Sequence, residues 1–363
     1  MKDKNSKKII IFGLLGIGDI VEFSPCFRLL KEKFPDSTIT LFTIWESIQN
    51  LFKESPFIDE IICEKILECN TIQKFKILQK LRKKKFDISI LPFPSYRREF
   101  NIVSFWTGAK NRYSFDFGKG KWSEINFLNN HLVLVDKTKH NVENNFKLLD
   151  KLGIKTTGKE EYELPIHITN LFLEKFLKEN NIHKSDLIIG IHPGSDKRGK
   201  DRRISISKFA RISDHISKKY KAKIILFFGP HEKELKQEFI DLAKNNHIIV
   251  DDKIINEVAK IISSCSIFIS SDSGLMHIAS AMKIPTVVMY GPTDPVLTHP
   301  WQVPYEIVTY GAECSPCFYY TEKHALNEPL IECKIEDKFS CVKEIQVSEI
   351  LFKIDKLIEL IKS

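Results

Sequence analysis

The chain has 363 residues, 43% hydrophobic and 28% charged, with 55 Lys and Arg against 47 Asp and Glu for a formal charge of +8. That balance excludes a disordered or fibrous chain, and no apolar run reaches the roughly 18 residues of a membrane-crossing helix. The length exceeds what one hydrophobic core usually holds, roughly 250 to 300 residues, so two domains are expected.

The N-terminus, MKDKNSKKIIIFGLLGIGDI, has the lysines and apolar stretch of a signal peptide. Asp19 follows the apolar stretch directly and no small-x-small cleavage site appears, so Lys8 to Leu14 reads as a first buried strand. A glycine loop and a helix over Asp19 to Pro35 follow. Ser37 to Thr43 and Phe86 to Phe93 are further strands, and Asn141 to Ile154 is an amphipathic helix closed by Gly153. After Pro165 and a helical stretch over Leu171 to Asp186, a second strand series begins. Its members are Leu187 to Gly194, Lys223 to Pro230, His247 to Asp252, Ser266 to Asp272 and Thr286 to Pro292, each separated from the next by helix-period sequence. The alternation predicts an α/β protein with two doubly wound parallel sheets and a ligand cleft between them. The last stretch, Val347 to Ser363, is an amphipathic helix.

Three places carry candidate chemistry. In SSDSGLMHIASAMKIP a strand gives way to a helix starting near Ser273, with Gly274 opening the backbone to a ligand. Free amides of a first helical turn attract an anion such as a diphosphate. Ser273 is the expected N-cap, Asp272 is placed to accept from sugar hydroxyls, and His277, four residues on from Ser273, shares its helix face. His277 also reads as a packed core histidine. In IHPGSDKRGKDRR, Gly194 and Ser195 lie past a strand end, followed by Lys197, Arg198, Lys200, Arg202 and Arg203. Such a loop neutralises phosphate without a metal. The glycines of GLLGIGD, at 13, 16 and 18, do not give the dinucleotide-binding order. Gly16 and Gly18 lead to Asp19, which reads either as a helix cap or as a general base toward a substrate hydroxyl.

Paired carboxylates spaced to hold magnesium are not evident, and the adjacent Asp251 and Asp252 read as a loop feature. Eight cysteines are too sparse for a disulfide scaffold, which points to a reducing, cytoplasmic location. Cys314, Cys317, Cys333 and Cys341 could close a structural zinc site, but the fourth falls too late for paired knuckles. Free thiols are expected, and no metal or cofactor.

On the quoted motifs, together with KKFDISI (Lys84 to Ile90), HNVENNFKLLDKLGI (His140 to Ile154) and the segment through YGPTDP, the chain resembles glycosyltransferase family 9, the bacterial heptosyltransferases. The resemblance spans nearly the whole length and implies a GT-B fold of two Rossmann-like domains. Residues 1–170 would bind the acceptor, 171–340 the nucleotide-sugar donor, and a helix in 341–363 would cross back to the first domain. It implies inverting, metal-independent transfer of heptose from ADP-heptose onto lipopolysaccharide core. Asp19 matches the proposed base, Asp272 and His277 the donor turn, and Ser273 and Gly274 its amides. Arg202 replaces the family's basic-loop lysine, while Ile204 and Ser205 replace a tryptophan and proline, removing an aromatic face expected of the donor pocket. The alternatives are a nucleotide-sugar epimerase of the same architecture and a non-catalytic nucleotide-sugar-binding relative. A lipid-linked saccharide acceptor would bring the basic chain to the inner membrane surface. No helix-turn-helix or zinc-finger spacing supports nucleic acid as a partner.

Overall fold

The computed structural model describes residues 6–118, 124–195, 203–318, 333 and 336–362. The described residues fall into two compact units, divided between Pro165 and Ile166.

In the first unit, β1 (Lys8–Gly13), β2 (Thr38–Thr43), β3 (Glu60–Cys63), β4 (Ile88–Ile90), β5 (Asn111–Asp116) and β6 (His131–Leu134) form a parallel sheet in the order β3-β2-β1-β4-β5-β6. Its helices are α1 (Ile17–Lys33), α2 (Glu46–Phe52), α3 (Thr71–Lys83), α4 (Arg98–Trp106) and α5 (Asn141–Lys151). The central strand is apolar on both faces, with Ile9, Ile10, Ile11 and Phe12 buried, because helices cover both sides of a parallel sheet. Ile10 and Phe12 pack in one cluster with Ile77 and Leu81 of α3 and Phe100 and Val103 of α4.

The second unit repeats the plan. The strands β7 (Ile188–His192), β8 (Lys223–Phe227), β9 (Ile248–Val250), β10 (Ile267–Ser271), β11 (Thr286–Tyr290) and β12 (Tyr305–Thr309) are ordered β12-β11-β10-β7-β8-β9. Its helices are α6 (Asn170–Glu179), α7 (Ile206–Tyr220), α8 (Lys233–Leu242), α9 (Ile255–Ile262), α10 (Gly274–Ala281), α11 (Pro295–Thr298), α12 (Ser340–Lys343) and α13 (Val347–Lys362). Counted from its own first strand, this is the 3-2-1-4-5-6 order of the first unit read from the other edge. Strand order therefore reverses between β1 and β4 in one sheet and between β7 and β10 in the other. The carboxyl ends of strands at such a reversal are where open α/β sheets bind ligands.

The terminal helix packs on the second sheet. Ile350, Ile354, Leu357 and Ile358 of α13 are buried with Ile189, Ile191, Ile267 and Val287 of the second sheet and with Phe209, Ile212 and Ile216 of α7. Its apolar stripe is thus buried in the core of its own unit.

Candidate active site

At the reversal in the first sheet, β1 ends at Gly13 and the chain turns into α1 with Gly16 as N-cap (φ −74°, ψ 174°). Gly18 lies in the first turn and Asp19 is the third helical residue. The Gly16 amide donates to Asp19 Oδ2 at 2.8 Å, so the carboxylate ties down the helix start. Asp19 also lines a concavity with Gly13, Leu14, Gly16 and Ile20, closed on the β4 side by Pro92, Phe93 and Ser95. The Phe93 amide donates to Asn145 Oδ1 at 2.8 Å, which ties that loop to α5.

At the reversal in the second sheet, Ser270 of β10 pairs with His192 of β7, so the turns beyond each strand lie side by side. Ser273 occupies the N-cap position of α10 in extended backbone (φ −155°, ψ 162°), but its side chain makes no capping bond. Its Oγ instead lies 3.0 Å from His192 Nδ1. The Ser273 side chain thus leaves the first-turn amides of α10 uncapped, an arrangement that suits an anion.

His192 leads to a residue the sequence reading did not single out. Its Nε2 is 3.5 Å from Glu232 Oε2. The Glu232 carboxylate accepts from the Ser195 amide at 2.9 Å and the Gly229 amide at 2.7 Å, and Arg203 lies 3.4 Å away. Burial would push this carboxyl up, but the bonds from His192 and Gly229 and the charge of Arg203 outweigh it and hold the pKa down at about 2. Glu232 sits where a side chain at position 194 would have to go, since a Cβ on Gly194 would overlap its carboxylate. The glycine is required there for this close approach. Arg203 completes the loop's anchorage, donating from Nε to Ser195 Oγ at 2.8 Å and from Nη2 to the Ser195 carbonyl at 2.6 Å.

Asp272 is buried just beyond β10, and its amide donates to the Met289 carbonyl at 3.3 Å. His277 is buried in α10. Burial lowers its pKa to about 4, with Asp272 opposing and His299 assisting, so the ring is neutral at physiological pH. Two further hydroxyls near these turns, Ser271 Oγ and Thr293 Oγ1, are buried without a hydrogen-bond partner.

The structure thus brings Gly194, Ser195, Asp272, Ser273, Gly274 and His277 to one end of the second sheet, and Gly16, Gly18 and Asp19 to the matching end of the first. Lys200 and Arg202 lie outside the described residues. Ile204, which replaces the family's tryptophan, is buried in the second unit's core. Glu232 could have been suspected from GPHEKE after β8, a strand end followed by a glycine and an acidic residue, but only the fold sets it against Gly194. All eight cysteines are free, and among the described residues no group of three or more His, Cys, Asp or Glu is disposed to hold a metal ion.

With this geometry in hand, comparison with known proteins gives a consistent result. The model of glycosyltransferase family 9 (heptosyltransferase) matches residues 74–326. The lipooligosaccharide heptosyltransferase 2 of Campylobacter jejuni serotype O:2 is 29% identical over 324 residues, covering 86% of this chain and 90% of that protein. Among solved structures, a glycosyl transferase family 9 protein from Veillonella parvula superposes with a TM-score of 0.75 at 20% identity, covering 97% of each chain. The E. coli ADP-heptose lps heptosyltransferase II gives 0.71 at 19% identity, covering 98% of this chain and 100% of that one. The likeness in fold bears out the GT-B architecture. The chain belongs to glycosyltransferase family 9 (heptosyltransferase).

Proposed function

We propose that this enzyme transfers heptose from ADP-heptose onto the core of a lipopolysaccharide or lipooligosaccharide, inverting the anomeric centre without a metal. The observation that carries the reading is the end of the second sheet, where α10 begins without a side-chain cap between Asp272 and the His192–Glu232 pair. A diphosphate fits a helix start of this kind, and a buried carboxylate at a strand end fits sugar hydroxyls. Family membership and the names of the relatives support the same donor and acceptor.

In this reading the ADP diphosphate rests on the amides of Gly274 and its neighbours, and Asp272 accepts from donor hydroxyls. The acceptor hydroxyl oxygen bonds to the anomeric carbon as its proton passes to Asp19. The bond from the anomeric carbon to the diphosphate oxygen breaks, and the electron pair leaves with ADP. A single displacement inverts the centre. Lys200 and Arg202 stabilise the charge on the departing diphosphate. A carboxylate is a weak base toward a sugar hydroxyl, so proton transfer is late in the step. Among the described residues no helix is long and apolar enough to cross a membrane, and in this reading a cytoplasmic enzyme meets a lipid-linked acceptor at the inner membrane face.

Calorimetric titration with ADP, UDP, GDP, CDP and ADP-heptose, without added metal, tests the donor. ADP and ADP-heptose are expected to bind selectively, and Asp272→Ala to lose the affinity. Preference for another nucleotide, or unaltered binding by Asp272→Ala, would overturn the donor assignment.

A further inference from the structure

The outer surface of the first unit carries an exposed apolar patch set in positive charge. The first six residues of α3, Thr71 to Lys76, are all exposed, and only Ile77 and Leu81 of this helix are buried. Ile72 (68% exposed) and Phe75 (50%) lie one turn apart, as do Ile102 (42%) and Phe105 (46%) on α4. The two pairs are joined through Trp106, whose ring meets Phe75 edge-on at 6.0 Å. The Arg82 guanidinium donates to the Trp106 carbonyl at 3.2 Å, and Arg112 stacks over Phe105 at 5.3 Å. Four large apolar side chains standing this far out on two neighbouring helices exceed the scattered exposure of an ordinary surface.

The surrounding charge is mainly positive, since α3 carries no acidic residue and Glu99 of α4 is paired with Arg97 at 3.6 Å. From Thr71 to Lys85 the sequence holds Lys74, Lys76, Lys80, Arg82, Lys83, Lys84 and Lys85 and no Asp or Glu. Among the described residues, only Lys80 and Lys84 of this run have carboxylates within ion-pair distance, Glu64 at 3.5 Å and Glu60 at 2.6 Å. Two copies of this face would repel each other. Phe75 and Phe105 offer rings to a base, but the bare aliphatic Ile72 and Ile102 exposed beside them give a nucleic acid nothing to stack on. Apolar side chains to enter the acyl boundary, ringed by lysines for the headgroups, fit an anionic bilayer.

We infer that α3 and α4 form the surface by which the enzyme docks on anionic phospholipid membrane, with Ile72, Phe75, Ile102 and Phe105 inserted and the α3 lysines on the headgroups. The inference rests on the lipid-linked acceptor proposed above and deepens it. Full-length protein would be sedimented with phosphatidylcholine vesicles and with vesicles of equimolar phosphatidylcholine and phosphatidylglycerol. Retention is expected on the anionic vesicles alone and should weaken with salt, since the headgroup attraction is screened. The Phe75→Ser/Phe105→Ser and Lys74→Glu/Lys76→Glu/Lys83→Glu variants change exposed side chains. Each should lose retention at least tenfold with an unchanged thermal midpoint. Transfer to a delipidated, water-soluble acceptor should be unaffected, while transfer to vesicle-borne acceptor falls. Vesicle binding without transfer to any acceptor would remove the functional reading and leave the docking surface. Wild-type retention by both variants would overturn the surface, as would a concentration-dependent dimer abolished by the same changes.

Discussion

His192 Nδ1 lies 3.0 Å from the hydroxyl of Ser273, across the reversal point of the second sheet. The imidazole therefore spans from the start of α10 to Glu232, whose carboxylate anchors the turn after β7. Two loops far apart in sequence are fixed to each other where the diphosphate is proposed to bind.

Breaking that link should weaken donor binding more than chemistry. His192→Ala removes a bond worth about 1 kcal/mol and orphans the Ser273 hydroxyl. Steady-state kinetics with varied ADP-heptose should show KM raised about tenfold with kcat changed by less than about threefold. A fall confined to kcat would show that His192 acts on the transition state instead.

Asp19 separates two roles by substitution. Asn retains an oxygen to accept the Gly16 amide but takes no proton, so Asp19→Asn should keep its melting temperature and donor affinity. Its kcat should fall about 10²- to 10⁴-fold. Asp19→Ala should also lose about 1 kcal/mol of stability with the cap. Near-normal turnover in the Asn variant would leave Asp19 as a helix cap only.

Glu232 should make the fold acid-sensitive in a defined window. Its carboxyl drops from the ordinary 4.5 to about 2 on folding, so the charged form stabilises the fold fully above about pH 4.5. The benefit, on the order of 3 kcal/mol, is lost as pH falls toward 2. Glu232→Gln should be less stable than wild type at pH 7, and the gap should close progressively below pH 4.5. Denaturant midpoints across that range check it, and a gap independent of pH would rule it out.

His277 titrates in a higher window. Its imidazole falls from 6.5 to about 4 on folding, so the unfolded chain takes up the proton first and stability declines as pH drops from about 6.5 to 4. Ring-proton NMR should place its midpoint near 4, and His277→Gln should flatten the stability profile in that interval. A midpoint near 6.5 would mean that the ring is solvated.

Gly194→Ala should be disproportionately harmful for a loop position, because the added methyl meets the Glu232 carboxylate. A loss of about 1 to 3 kcal/mol in stability is expected from the overpacking, together with weaker donor binding. Pairing it with Glu232→Ala, which vacates the space, should restore part of the stability.

Much of the architecture was legible in the chain itself. Runs such as Ile9 to Phe12 and Ile267 to Ile269 are buried on both faces of a parallel sheet and read as unbroken apolar stretches. The glycine turns that follow them mark strand-to-helix transitions, which is why the sequence alone places Asp19, Asp272, Ser273 and Gly274 at strand ends. The strands β3, β5, β6 and β12, reading EIIC, NRYSFD, HLVL and YEIVT, are not marked by the sequence pattern. They lie toward sheet edges, where partial exposure admits polar residues and blurs the pattern.

The sequence by itself determined the alternation of strands and helices and the residues at their ends, because burial periodicity and turn chemistry are local properties. Which ends meet was decided only by the tertiary structure. Strand order places β7 beside β10, so that His192 reaches Ser273 from 81 positions away, and the loop after β8 sets Glu232 against Gly194. The same holds for α13, whose amphipathic stripe was plain in the sequence while its partner was not. An apolar face specifies that it must be covered, and only the packing of the whole unit specifies by what.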